Sequence, residues 1–265
     1  MTSFTSSDFE SQKKFFLENG FLVVKNLISY EEADYYYFLS KKIADKNFSA
    51  ILNPDRLSFL VSQCLHLFDS ANSLTEKTES FDELYDIASH FRKLAEKNKC
   101  IRILENLKER EICLLMSQML FKEANSKYAS QAWSPHQDNS YPLNPNGQYI
   151  TTNIFFKDAD PDNGSLYVFA GSQKDGLKKF DSQTSYRETK GNPGNLSQFN
   201  PENYKKIDLF FEKGDMVVLD GNLIHGSYGN DTNRSRPLYS ASFISFGEPF
   251  VPGRNASRRI FKDNS

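Results

Sequence analysis

The chain has 265 residues, 38% of them hydrophobic and 25% charged, with 32 Lys and Arg against 34 Asp and Glu for a formal net charge of −2. That length and balance suit an ordinary globular core, and the basic residues are too scattered to form the stripe that nucleic acid or an anionic membrane surface requires. Neither is expected as a partner; a small molecule is.

Cys64, Cys100 and Cys113 are odd in number and have no CxxC spacing, which supports neither a disulfide framework nor a zinc finger. The opening MTSFTSSDFESQKKFF carries acidic residues and no apolar h-region. No run approaches the ~18 apolar residues of a membrane span, and the ending KDNS is not a peroxisomal tripeptide. The expectation is a cytoplasmic protein forming a single domain over residues 1–265.

In chain order, FLVVKN at 21–26 is a short apolar run that reads as a strand. From SYEEADYYYFLSKKIADK, with Ser29 as a candidate cap, through SFDELYDIASHFRKLAEKNK to NLKEREICLLMSQMLF, apolar residues recur at helical spacing between Lys and Glu. Residues 30–118 are therefore expected to be mainly helical. After about residue 117 the pattern changes to short apolar runs punctuated by Asn, Pro, Gly and Asp: YITTNIFFKDA, SLYVFAGS, DLFFEKGDMVVLDG and RPLYSASFISFG. Many short strands with turn signals predict a closed or two-sheet antiparallel core over about 117–250, with helices packed outside. Residues 174–206 are polar, contain two prolines and separate two of the strands. A loop that long is read as a lid or specificity loop.

The chemistry centres on SPHQDNS, residues 134–140, in a chain with four histidines. On an extended strand, residues i and i+2 point to one side, so His136 and Asp138 can meet one ion. Two neutral imidazoles and a carboxylate on one face leave positions open for further ligands on a non-haem iron. His66 and His90 fall in segments read as helical, whereas His225 follows an apolar strand and a turn containing Gly221, which suits a third ligand. Arg236 opens the strand RPLYSASF, from which a guanidinium could reach back and pair with a carboxylate; Arg234 is the alternative. An HxD pair alone is also compatible with two hydrogen-bonded loop residues.

FFLENGFLVVKNLIS, SPHQD, DADPDNGSLYVFAGSQKDG and GDMVVLDGNLIHGSYGNDTNRSRP together, in this order, resemble the phytanoyl-CoA dioxygenase family of Fe(II)/2-oxoglutarate oxygenases. The resemblance runs along most of the chain. It implies a mainly β fold with flanking helices, built on a double-stranded β-helix (jelly-roll, cupin-like) core. It also implies Fe(II) held by His136, Asp138 and His225, with 2-oxoglutarate and O2 as co-substrates. Arg236 matches the residue that binds the distal carboxylate of 2-oxoglutarate, and Ser227, Gln118 and Lys122 match further co-substrate contacts.

Two departures stand out. The aromatic residue that commonly precedes the first ligand is displaced to Trp133, with Ser134 and Pro135 between, and the family's PGSH is AGSQ at 170–173. Asn163 and Gly164 are expected only to shape a turn. Trp133 and Tyr141 are candidates for substrate contact, and Arg254, Arg258 and Arg259 read as a solvated basic tail.

The implied reaction is oxidation of an unactivated C–H bond of a small organic metabolite, giving succinate and CO2. Halogenating relatives replace the carboxylate ligand with a small residue, so Asp138 favours hydroxylation, with desaturation or oxidative cyclisation sharing the same first step. A zinc hydrolase on the same ligands and a catalytically inactive β-helix binding protein are the rival readings.

Overall fold

The structure is a computed structural model that describes residues 8–45, 52–53, 58–60, 79–124, 129–179, 196 and 199–251. His66, Cys64, Arg254, Arg258, Arg259 and most of the 174–206 insert lie outside the described residues.

Helix α1 (Phe9–Asn19) begins where the Asp8 carboxylate accepts from the Ser11 amide at 3.3 Å. It ends at Gly20, whose φ of +80° lets its N–H turn back to the Phe16 carbonyl. Helix α2 (Tyr30–Asp45) follows Ser29. The Ser29 hydroxyl accepts from the Glu32 amide at 3.1 Å while the Glu32 carboxylate accepts from the Ser29 amide at 2.9 Å, a reciprocal cap. Helices α3 (Glu79–Ala95) and α4 (Asn98–Lys108) follow. In α4 the buried residues are Cys100, Ile103, Leu104 and Leu107, a single apolar stripe at helical spacing.

The strands are β1 (Phe21–Val24), β2 (Leu52–Asn53), β3 (Ser58–Leu60), β4 (Ile112–Lys122), β5 (Trp133–His136), β6 (Tyr149–Phe155), β7 (Leu166–Ala170), β8 (Lys205–Asp208), β9 (Met216–Asp220), β10 (His225–Ser227) and β11 (Arg236–Ser245). They form a seven-stranded sheet in the order β1-β9-β6-β11-β4-β3-β2 and a four-stranded sheet in the order β5-β10-β7-β8. Every pairing is antiparallel. This is the expected two-sheet jelly roll with helices outside.

Strand residues alternate between two cores. On the helix side of the large sheet, Met119, Phe121, Ile150, Ile154, Met216, Val218, Tyr239, Ala241 and Phe243 pack with Ile87, Phe91, Leu104 and Leu107. On the other side, Phe21, Val23, Phe155, Val217, Leu219 and Leu238 meet Leu166 and Val168 of the small sheet. The same alternation turns polar side chains inward between the sheets. Gln118, Ser240 and Asn153 form one cross-strand row, and Ser242 and Thr151 stand side by side in the next. Burying neutral polar groups in a sheet interior is costly unless something bonds them, so this polar row sets the stretch apart from the apolar packing on either side of it.

The expected helical stretch of 30–118 is corrected in two ways. Helix α4 ends at Lys108, where Glu109 takes a positive φ of 53°, and ICLLMSQ is the first half of β4. Continuous apolar residues fit either a buried strand or a helix face, and antiparallel pairing with β11 from Ile112 to Lys122 decides for the strand. Strands β2 and β3 also fall within the stretch, and α1 lies outside it. The insert is shorter than expected at its end, because Pro201–Asn203 forms a 3-10 turn and β8 begins at Lys205. No helix among the described residues is long and apolar enough to cross a membrane.

Candidate metal centre

Strands β5 and β10 are antiparallel neighbours, and His136 stands directly opposite His225 in their register. Their imidazole rings lie 4.4 Å apart. The Nδ1 of His136 is 2.9 Å from the Ser134 carbonyl and that of His225 is 3.1 Å from the Leu223 carbonyl. A carbonyl only accepts, so Nδ1 carries the proton in each ring and Nε2 is left with its lone pair. Both Nε2 atoms face the same Asp138 oxygen, at 3.5 Å from His136 and 3.7 Å from His225. Atoms each roughly 2.0–2.2 Å from one cation stand at most about 4.4 Å apart, and one ligand atom from each residue lies within 4.8 Å of the others. Small side-chain rotations close this set on a single ion.

Asp138 is not on a strand, as expected from the HxD spacing, but opens a 3-10 turn (Asp138–Ser140). Gln137 keeps an extended backbone, φ −122° and ψ 128°, so the side chains on either side of it still converge. Gln137 itself is fully buried and anchors the turn: its Nε2 donates to the Asn222 carbonyl at 2.6 Å and the Gly176 carbonyl at 2.9 Å, and its Oε1 accepts from the Lys178 amide at 2.8 Å. Asn139 donates to Asn222 Oδ1 at 2.8 Å, and its backbone amide reaches the Gly221 carbonyl at 2.8 Å. Gln137 and Asn139 were missed in the sequence, where they look like ordinary loop residues.

Burial alone would push the Asp138 carboxyl up, but the flanking His225 and His136 imidazoles hold it well below the usual carboxylate range. Burial drives the His225 imidazole down to about 4, against the opposing pull of Asp138. At neutral pH this combination presents an ionised carboxylate and a neutral imidazole, the forms a divalent metal needs.

The Ser134–Pro135 departure has a structural meaning. Between the His225–His136 and Ser227–Trp133 pairs, β10 advances two residues while β5 advances three. The extra residue is a bulge. It restores Trp133 to the inner side, with its ring 5.6 Å from that of His136, and turns the Ser134 carbonyl onto His136 Nδ1.

Behind the three ligands lies a buried cationic pair. Lys122 ends β4, Arg236 begins β11, and the two are direct cross-strand partners. Arg236 is 2% exposed and donates from Nε to the Gly164 carbonyl at 3.0 Å. Lys122 is fully buried, and its ammonium reaches Ser227 Oγ at 3.0 Å and the Tyr228 carbonyl. Burial, reinforced by the adjacent guanidinium, holds the Lys122 amine well below the ordinary lysine range. Ser227 links this pair to the metal ligands, two residues from His225 on β10.

Arg234 is elsewhere: its guanidinium is exposed and makes two contacts to the Asp160 carboxylate, at 2.7 and 3.0 Å. His90 lies on α3 beside Tyr35 and Asp86. Gln118 lies opposite Ser240 on β4, four residues or roughly 13 Å of strand from Lys122. Tyr141 is 50% exposed on the turn after Asp138, to whose carbonyl its backbone amide donates at 3.2 Å.

The family profile described as Phytanoyl-CoA dioxygenase (PhyH) matches residues 16–238. The chain belongs to the phytanoyl-CoA dioxygenase family. It is thus an Fe(II)- and 2-oxoglutarate-dependent oxygenase by family, and its HxD and distal histidine form the candidate facial triad. Human peroxisomal phytanoyl-CoA dioxygenase is 26% identical over 255 residues, spanning 93% of this chain and 71% of that protein. A phytanoyl-CoA dioxygenase domain-containing protein 1 homolog of Dictyostelium discoideum is 22% identical over 267 residues, spanning 89% and 90%.

Among solved structures, the non-heme alpha ketoglutarate dependent epimerase SnoN superposes with a TM-score of 0.69 at 16% identity, covering 97% of this chain and 94% of that one. EctD from S. alaskensis, in a structure with 2-oxoglutarate and 5-hydroxyectoine, superposes with a TM-score of 0.66 at 15% identity, covering 94% and 85%. At those identities the structural likeness speaks for the fold. The donor set of this phytanoyl-CoA dioxygenase relative fits ferrous iron on its own chemistry: two imidazole nitrogens and one carboxylate.

Proposed function

We propose that this oxygenase hydroxylates an unactivated C–H bond of a small organic metabolite, as one catalytic domain. The observation that carries the reading is the convergence of His136, Asp138 and His225, with the buried Lys122 and Arg236 tied to the same strand through Ser227. When bound, ferrous iron would activate O2, which is the oxidant; 2-oxoglutarate would supply two of the four electrons O2 takes up, leaving as succinate and CO2, and the substrate C–H bond the other two.

His136, His225 and Asp138 hold the metal, each imidazole kept in one orientation by a backbone carbonyl. Arg236 takes the distal carboxylate of 2-oxoglutarate as a charge-assisted pair in a site shielded from water. Lys122 and Ser227 lie beside the same carboxylate, and Gln118 adds a neutral hydrogen bond from β4. Trp133 forms a wall next to His136, on the side where a substrate would be held, and fixes its distance from the metal; Tyr141 marks the outer rim. Because Asp138 supplies a carboxylate to the metal, hydroxylation is the favoured outcome over halogenation.

Relatives differ in what they act on. Names among them include phytanoyl-CoA dioxygenase, an epimerase and a carbocyclase, so desaturation and cyclisation belong to the same reading, and the substrate is assigned as a small metabolite without narrower class. The compartment is read as cytoplasmic from the sequence alone.

The test is succinate formation by the Fe(II)-loaded protein across a panel of metabolites, scored above the uncoupled rate. His225→Ala should abolish it and His90→Ala should leave it nearly intact. Equal loss in both would remove His225 from the metal.

A further inference from the structure

The turn from Asp160 to Ser165 lies outside the three metal ligands, and its sequence signals only a change of direction. In the structure one of its residues touches both buried cations. Gly164 has a φ of +91°, and its carbonyl accepts from Arg236 Nε at 3.0 Å. The Lys122 side chain runs past its α-carbon so closely that a Cβ there would stand 2.7 Å from Lys122 Cδ. It would also stand 3.2 Å from the Tyr228 carbonyl oxygen, which is one of the two acceptors of the Lys122 ammonium. The missing side chain is therefore the space through which Lys122 reaches Ser227 and the Tyr228 carbonyl. The carbonyl, with its partial negative charge, lies against the guanidinium and stabilises it beside the Lys122 side chain on the facing strand.

The turn is held rigid from both sides. Asn163 Oδ1 accepts from the Asp160 amide at 2.8 Å, and Asn163 Nδ2 donates to the Asp158 carbonyl at 3.0 Å. Asn163 and Asn230 form an isolated β-bridge that ties the turn to the segment after β10. On the outer surface Arg234 grips Asp160 with two contacts, at 2.7 and 3.0 Å. So many bonds for one short turn make sense if the position of one carbonyl and one α-carbon matters.

We propose that Gly164 is a positioning residue for 2-oxoglutarate: it sets where the Lys122 ammonium and the Arg236 guanidinium present themselves to the co-substrate carboxylate. This rests on the reading that those two side chains receive 2-oxoglutarate. Any side chain at 164 displaces Lys122 and pushes the carbonyl off Arg236, leaving the three metal ligands untouched.

The experiment compares Gly164→Ala with Gly247→Ala, which carries the same backbone strain, φ +79°, but has no heavy atom within 4 Å of its would-be Cβ among the described residues. Binding of 2-oxoglutarate to the Co(II)-loaded protein is measured by calorimetry, and binding of Co(II) alone is measured separately. Gly164→Ala should weaken 2-oxoglutarate at least tenfold while Co(II) affinity stays within twofold; Gly247→Ala should change neither by more than twofold. In a Lys122→Ala background the effect of Gly164→Ala should shrink to about twofold, because the side chain it collides with is gone.

Wild-type 2-oxoglutarate affinity in Gly164→Ala overturns the proposal, as does a full-sized loss that persists without Lys122, or an equal loss in Gly247→Ala. If instead Lys122→Ala and Arg236→Ala both bind 2-oxoglutarate as the wild type does, the functional reading itself falls, and that result is visible whatever Gly164→Ala shows.

Discussion

Lys122 and Arg236 face each other across β4 and β11, both buried, with Ser227 joining the lysine to the strand that carries His225. Two basic groups are brought together where hydrophobic packing would ordinarily stand, an arrangement that holds the Lys122 amine below its ordinary range and is relieved by an anion.

Arg236 and Arg234 are two residues apart, yet their environments predict opposite outcomes. Arg236→Ala should weaken 2-oxoglutarate by about 2–5 kcal/mol, the range for truncating one partner of a buried charge pair. Arg234→Ala breaks an exposed pair, which is worth about 0–1 kcal/mol to stability, and should leave the affinity within a few fold. Calorimetric titration of both variants decides; a larger loss from Arg234 would reverse the assignment.

Binding of 2-oxoglutarate should be accompanied by proton uptake. In the free protein, burial and Arg236 hold Lys122 below its ordinary value of 10.5; a carboxylate beside it raises that value again. Between the two values the complex binds more protons than the free protein, so affinity falls as pH rises through that window. Calorimetry in two buffers of different ionisation enthalpy should show uptake of up to about one proton, absent in Lys122→Met. No uptake in the wild type would mean that Lys122 keeps its charge throughout.

Trp133 is the only tryptophan in the sequence, and its ring lies 5.6 Å from that of His136. A paramagnetic ion at the ligand set should quench its fluorescence. Titration with Co(II) is expected to give saturable quenching that His136→Ala and His225→Ala eliminate and His90→Ala preserves. Unquenched emission with bound Co(II) would place the ring away from the ion.

Gln131 is buried, and neither polar atom of its amide has a hydrogen-bond partner among the described residues. A buried polar group left unsatisfied costs about 1–3 kcal/mol. Gln131→Leu, close in volume, should therefore raise the unfolding midpoint of the ligand-free protein by a few degrees in scanning calorimetry. A drop would show that the amide is bonded.

Much of this was legible in the chain. The strand runs, the caps at Ser29 and the HxD-to-histidine order depend on local spacing, which physics reads over a few residues. The α4-to-β4 boundary was not legible, because ICLLMSQ satisfies either period and only pairing with β11 selects one. The polar inner row of Gln118, Ser240 and Asn153 does leave a period-two trace in YITTNIF and LYSASFIS, where polar residues interrupt apolar strands. Nothing local says that the row faces the second sheet rather than solvent.

By itself the sequence determined the donor types, their order and the family, since ligand chemistry and strand alternation are written in residue identity and spacing. Tertiary structure alone decided which arginine is buried, that Lys122 stands opposite it, that a bulge at Ser134–Pro135 carries Trp133 to the inner side, and that Gly164 touches both cations. Those facts depend on the register of strands far apart in the chain. A shift of one residue in that register would turn each of these side chains to the opposite face of its sheet.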